Sequence, residues 1–128
     1  MKALTGRLFL LLSVCFPLCS MAGEPTVSTL LSSALADVDG KNVVVSRVDI
    51  PPNSALPKHF HPGEEIAFVL EGEVTLWQLG KEDTVTGEGG LVRVPPRQVH
   101  TGITGEEGVR LLVLRILDEG QPSRVLVE

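Results

Sequence analysis

The pattern of apolar and polar residues predicts a chain built from short β-strands. Apolar-rich segments of three to ten residues recur after position 26 with almost no helical spacing, and Gly, Pro, Asn or Asp separate them. Such runs are typical of strands joined by turns. Strands are predicted at 43–50, 66–70, 73–78, 91–94, 109–117 and 125–127. Glu71-Gly72 predicts a tight hairpin. Segment 27–36 fits a strand paired with 43–50 or one short helix, and we favour the strand.

Many short strands separated by turns predict an all-β fold, either a β-sandwich or a small barrel. The segment 109–117 is apolar on both faces, because Leu111 and Val113 alternate with Leu112, Leu114 and Ile116. A strand covered on both sides needs a second sheet, an overlying segment or a partner subunit. We therefore expect one domain over residues 23–128, and we expect it to form a homodimer.

The first 22 residues have the organisation of a secretory signal peptide. Lys2 and Arg7 precede a continuous apolar run at 8–19, and the small residue Ala22 ends a cleavage signal. The run is shorter than the roughly 20 apolar residues that span a bilayer. An uncleaved anchor is the alternative. We expect cleavage after Ala22 and a periplasmic or secreted mature chain.

Cleavage would change the composition in ways that exclude several functions. Cys15 and Cys19 would leave with the signal, so the mature chain would have neither disulfides nor thiol chemistry. All 16 acidic residues follow the cleavage point, and loss of Lys2 and Arg7 moves the formal charge from −5 to −7. Such an acidic chain is a poor partner for nucleic acid or for an anionic membrane surface.

The sequence HFHPGEE, residues 59–65, predicts a metal site. His59 and His61 are two positions apart and would project from the same side of a strand. Glu65 can return to that side after the turn at Pro62-Gly63. A sandwich or barrel can also bring His100, the third histidine of the chain, beside this cluster. Imidazoles with one carboxylate suit a divalent transition metal, namely Mn, Fe, Co, Ni, Cu or Zn.

The spacing of these residues resembles the two sequence motifs of the cupins, specifically the small single-domain, conserved-barrel type. Within 42–117, the matching positions are His59, His61, Glu65 and Gly72 in the first motif, and Gly89, Pro95 and His100 in the second. The resemblance implies a jelly-roll β-barrel of six to eight strands with the metal inside. It further implies that His59, His61, Glu65 and His100 are ligands, leaving two positions of an octahedron open.

Three turn positions depart from the cupin pattern. Asn53, Arg97 and Thr104 stand where the family often has Gly, Gly and Asn. Asn tolerates a positive φ angle, as Gly does. Arg does not do so easily, so we expect a different turn at Arg97.

The expected site leaves the function open between an enzyme and a binding protein. Strand alternation places Ala67 and Val69 on the ligand side, and Trp77 and Gln98 are further candidates for lining a pocket. Trp77 fits an ordinary core position better. The resemblance implies a dioxygenase, decarboxylase or isomerase acting on a small organic molecule, with Glu65 as a general base. The alternative is a non-catalytic protein that binds or senses a metal or a small ligand.

Overall fold

The computed structural model describes residues 23–128, so the predicted signal peptide at 1–22 lies outside the described residues. All regular structure in this part of the chain is β. Among these residues no helix is long and apolar enough to cross a membrane. The strands are β1 Thr26–Ala34, β2 Lys41–Ile50, β3 His59–Phe60, β4 Glu64–Gln78, β5 Thr84–Gly87, β6 Leu91–Val94, β7 His100–Ile103, β8 Val109–Asp118 and β9 Val125–Leu126.

The strands form a curled antiparallel sheet, the half-barrel of a double-stranded β-helix. The hydrogen-bonded order is β1-β2-β8-β4-β7-β3-β9, with β5 and β6 paired to β4. The predicted strand at 27–36 is confirmed, because β1 pairs antiparallel with β2. Alternating residues of β2, β4 and β8 point inward and form the core, which consists of Val48, Ile50, Ala67, Val69, Val74, Val109, Leu111 and Val113.

The predicted hairpin at Glu71-Gly72 is wrong, because β4 continues through it as one strand of 15 residues. Its first half pairs with β8 and β6, and its second half pairs with β5 and β7. An irregularity in register between Val69 and Glu71 allows the strand to bend from one set of partners to the other. Gly72 has a φ of 78°, and a Cβ atom there would lie 2.0 Å from the carbonyl oxygen of Gly108. The sequence Glu71-Gly72 therefore marks a bend within β4 and not a turn between two strands.

The turn at Arg97 also differs from the expectation, since Arg97 does adopt a positive φ, of 63°. Gln98 N donates to the carbonyl oxygen of Pro95, and Pro96 precedes Arg97, which are the features of a type II turn. Arg97 N also donates to the carbonyl oxygen of His61 over 2.8 Å. This hydrogen bond ties the turn to the HFHPGEE segment and offsets part of the backbone strain. Asn53 has the expected positive φ, of 51°.

Candidate metal centre

The three histidines lie together at one end of the curled sheet. His59 begins β3 and is paired in register with His100, which begins β7. His61 follows β3 directly. All three side chains are buried, with only 2 to 3% of their surface exposed. The long separation in sequence between His59 and His100 is closed by this strand pairing.

Backbone carbonyls fix the orientation of all three imidazole rings. His59 Nδ1 lies 2.7 Å from the carbonyl oxygen of Pro57, and His100 Nδ1 lies 2.9 Å from that of Gln98. His61 Nδ1 makes the same contact with the carbonyl oxygen of Ser123. A neutral ring that donates from Nδ1 presents a lone pair at Nε2. This is the arrangement found around metal-binding histidines, where the second nitrogen donates to a carbonyl or carboxylate.

The ring nitrogens of the three histidines lie close together. His59 Nε2 and His61 Nε2 are 3.2 Å apart, and the ligand atoms of all three histidines lie within 4.8 Å of one another. Two ligands about 2.1 Å from one transition metal would be roughly 3.0 to 3.4 Å apart. Burial lowers the pKa of His59 to about 4, so this ring is neutral at neutral pH. Converging lone pairs repel one another unless a cation lies between them, so the three rings fit a metal ion.

Glu65 borders the histidine cluster and is also buried. Its Oε2 atom is 2.8 Å from His61 Nε2, and its Oε1 atom is 3.5 Å from His100 Nε2. Burial on its own would raise the pKa of Glu65. Close contacts with His100 and His61 and the charge of Arg115 outweigh burial and hold that pKa well below its usual value. Glu65 is therefore a persistent carboxylate beside the three imidazoles.

Arg115 is the site residue that the sequence reasoning missed. Its Nε atom donates to Glu65 Oε2 over 2.7 Å, and only 11% of its side chain is exposed. Arg115 lies on β8 opposite Glu65 on β4. A signal was present in the sequence, because Arg115 shares the inward alternation of Leu111 and Val113. A charged residue on the core face of a strand requires a buried partner.

Two cavities adjoin the histidine cluster. An inner cavity of about 40 Å³ lies within the curled sheet and has mostly apolar walls, together with His59, Glu65, His100 and Arg115. An outer cleft of about 230 Å³ lies against His59, His61 and Arg115 and is bordered by Arg124. The cluster is therefore open to a space that could hold a small molecule.

The predicted pocket residues have different positions in the structure. Ala67 lines the inner cavity. Val69 is fully buried in the core nearby. Trp77 lies between buried Leu76 and Gln78 on β4 and so points outward, where Lys58 Nζ is 4.4 Å from its ring centroid. Gln98 is occupied by the turn, and its Nε2 atom donates to the carbonyl oxygens of Leu79 and Val99.

Comparison with known proteins gives the same fold. A family model described as a cupin domain matches residues 46–115. The chain is similar to the DMSP lyase DddQ of Ruegeria pomeroyi, with 25% identity over 81% of this chain and 52% of the lyase, at a TM-score of 0.69. It thus spans about half the length of that enzyme.

Two further solved structures are similar over most of their own length. The polyketide cyclase RemF of Streptomyces resistomycificus is 26% identical over 84% of this chain and 75% of the cyclase, at a TM-score of 0.63. An RmlC-like cupin of Methanocaldococcus jannaschii, with a double-stranded β-helix fold, is 19% identical over 77% of this chain and 85% of its own, also at 0.63. No curated protein matches the sequence significantly.

Proposed function

This chain belongs to the cupin family, and from that premise we propose that it is a metal-dependent enzyme acting on a small organic molecule. The proposal rests on one observation, which is the cluster of three buried imidazole rings whose Nδ1 atoms all contact backbone carbonyls. One divalent transition metal, namely Mn, Fe, Ni, Cu or Zn, would be held by His59, His61 and His100. When bound, such an ion supplies a positive charge that polarises a substrate oxygen or activates dioxygen.

We propose that Glu65 serves as the fourth, anionic ligand of this metal. Both of its oxygens border the histidines, Oε2 at 2.8 Å from His61 Nε2 and Oε1 at 3.5 Å from His100 Nε2. A carboxyl group with a lowered pKa is a weak proton acceptor, and a good general base has a pKa near the working pH. The electrostatics of Glu65 therefore favour the ligand role over the general-base role. Four protein ligands leave two positions of an octahedron for water or substrate.

Two considerations bear on whether the site is catalytic. The similar structures include proteins named a lyase and a polyketide cyclase, which favours an enzyme. Dioxygenase, decarboxylase and isomerase reactions all use a metal that binds a substrate oxygen or dioxygen. The alternative is a binding protein. The binding protein is favoured by the shortage of acid–base groups around the two cavities. Among residues 23–128, the titratable side chains that line them are the histidines, Glu65 and two arginines. That set holds no further acid–base group.

The first experiment measures the metal content of the protein, purified without chelators or added metal. We expect close to one equivalent in the wild type and in Glu64→Gln, and loss of the metal in His100→Ala. Glu64→Gln is the control, because Glu64 pairs with Arg93 outside the site. Absence of metal from the wild type, even after reconstitution, would overturn the proposal.

A screen for activity then separates the enzyme from the binding protein. Oxygen consumption and product formation are followed with small organic substrates in the wild type and in His61→Ala. Turnover that is lost in the variant supports the enzyme. A ligand that binds tightly and is recovered unchanged supports the binding protein.

We also propose export and homodimerisation, in line with the composition and strand pattern. Ile66, Phe68, Leu91 and Leu112 are 36 to 66% exposed on neighbouring strands, and Phe68 is in register with both Leu91 and Leu112. Burial of this outer face in a second copy would remove it from water. Light scattering during size-exclusion chromatography is expected to give a dimer that Phe68→Glu converts to a monomer. A monomeric wild type would contradict this.

A further inference from the structure

We propose that the outer cleft is an anion-binding subsite, in which Arg115 and Arg124 hold the carboxylate or phosphate group of a small organic ligand. The inference rests on the proposed function and adds the chemical class of the ligand to it. It depends on the position of the two guanidinium groups next to His59 and His61.

Arg115 carries the argument because its guanidinium group is only partly used inside the protein. Within residues 23–128 its side-chain hydrogen bond is the one from Nε to Glu65 Oε2. In the same part of the chain, no fully buried polar side-chain atom lacks a partner. The two Nη groups of Arg115 must therefore touch accessible space, and the residue borders both the inner cavity and the outer cleft. A largely buried cation is thus held in place by Glu65, and its Nη donors bind no other residue of the described part of the chain.

Arg124 adds a second positive charge at the outer side of the same cleft. It forms no ion pair with any residue that the structure describes. Glu24 borders a neighbouring groove with Arg124 without coming within ion-pair distance. Among the described residues, those lining the cleft include two arginines and no acid, although acids outnumber basic residues by 16 to 11 in the chain. Guanidinium groups bind carboxylates and phosphates through paired hydrogen bonds.

The dimensions of the two cavities place the charged group of the ligand in the outer cleft. The cleft measures about 230 Å³, whereas the inner cavity measures about 40 Å³. Val48 and Leu56 line both spaces. The ligand would therefore place its anionic group between the arginines and a short apolar group against Val48 and Leu56, next to the histidine cluster.

The test is an NMR titration of the isotopically labelled full chain, loaded with zinc, with propanoate, methyl phosphate and the uncharged propanamide. We expect propanoate or methyl phosphate to bind at least about tenfold more tightly than propanamide, since hydrogen bonds to charged groups contribute roughly 1.5 to 3 kcal/mol. Arg124→Gln is expected to weaken anion binding by about fivefold, the effect of an exposed charge pair. Arg115→Lys, which keeps a charge beside Glu65, is expected to weaken it by about tenfold.

Arg47→Gln is the matched control, because Arg47 lies on β2 and pairs with Asp49 away from the cleft. Its anion affinity and its zinc content are expected to equal those of the wild type, and so is the zinc content of Arg124→Gln. Equal affinities for propanoate and propanamide would overturn the inference, as would anion binding that neither arginine variant changes. If the wild type binds no zinc, the proposed function fails, and the same titration on the metal-free protein still decides whether the cleft binds anions.

Discussion

Replacing Arg115 by Met tests whether Glu65 is held as a buried carboxylate. Met retains much of the apolar length of the arginine side chain and removes its charge. The variant would leave Glu65, which is 7% exposed, without its 2.7 Å hydrogen bond from Arg115 Nε. Removing one partner of a buried ion pair typically costs about 3 to 5 kcal/mol, because the other charge stays buried without compensation.

The expected loss of unfolding free energy is about 3 kcal/mol, at the low end of that range. Glu65 borders the inner cavity, where water can compensate part of the remaining charge. Arg110→Met is a matched control on the same strand. Arg110 pairs with Asp49 and Glu71, but 42% of its side chain is exposed. Exposed pairs contribute about 0 to 1 kcal/mol.

The assay is urea unfolding of the metal-free protein at pH 7. A loss of about 3 kcal/mol corresponds to a midpoint lower by roughly 1 to 3 M, given slopes of about 1 to 3 kcal/mol/M. Adding Glu65→Gln to Arg115→Met is expected to restore part of the stability, because no charge then remains buried. Equal stability of Arg115→Met and Arg110→Met would refute the reasoning.

Three further predictions concern acid stability and the backbone. The pKa of His59 is about 4 in the folded chain and 6.5 in the reference state, so the unfolded state binds more protons between these values. Acidifying the metal-free protein from pH 7 to 4 should cost up to about 3 kcal/mol in urea unfolding, and His59→Gln should flatten this loss. Arg97→Gly should raise the thermal midpoint, by relieving roughly 0.5 to 1 kcal/mol of backbone strain, and an unchanged midpoint would contradict it. Gly63→Ala should lower the free energy of unfolding by at least about 2 kcal/mol, and with it the thermal midpoint. The reason is that the new Cβ would lie 1.8 Å from the carbonyl oxygen of Ile116. An unaffected variant would contradict this.

The sequence was most informative where local patterns decide the structure. Alternation and turn residues predicted the all-β class and the β1–β2 pairing. The motif spacing predicted that the three histidines lie close together, as they do in the structure. The prediction of a hairpin at Glu71-Gly72 was wrong because the local sequence does not distinguish a turn from a bend within a long strand. The prediction of a different turn at Arg97 was wrong because a hydrogen bond to His61, which is distant in sequence, stabilises the positive φ of Arg97.

Arg115 was missed for a different reason, and that reason links stability to function. Its partner could be identified only from the register between β8 and β4, which sequence periodicity does not supply. In the folded chain Glu65 lies between Arg115 and the histidines, so any metal bound there would share its carboxylate with the arginine. A metal ion coordinated by Glu65, as proposed, would supply the compensating charge that Arg115→Met removes. The metal should therefore bind more tightly to Arg115→Met than to the wild type. Because binding to the native state raises the free energy of unfolding with the logarithm of affinity, a saturating metal should stabilise Arg115→Met by more than the wild type. An equal gain in the two proteins would place Glu65 outside the coordination sphere.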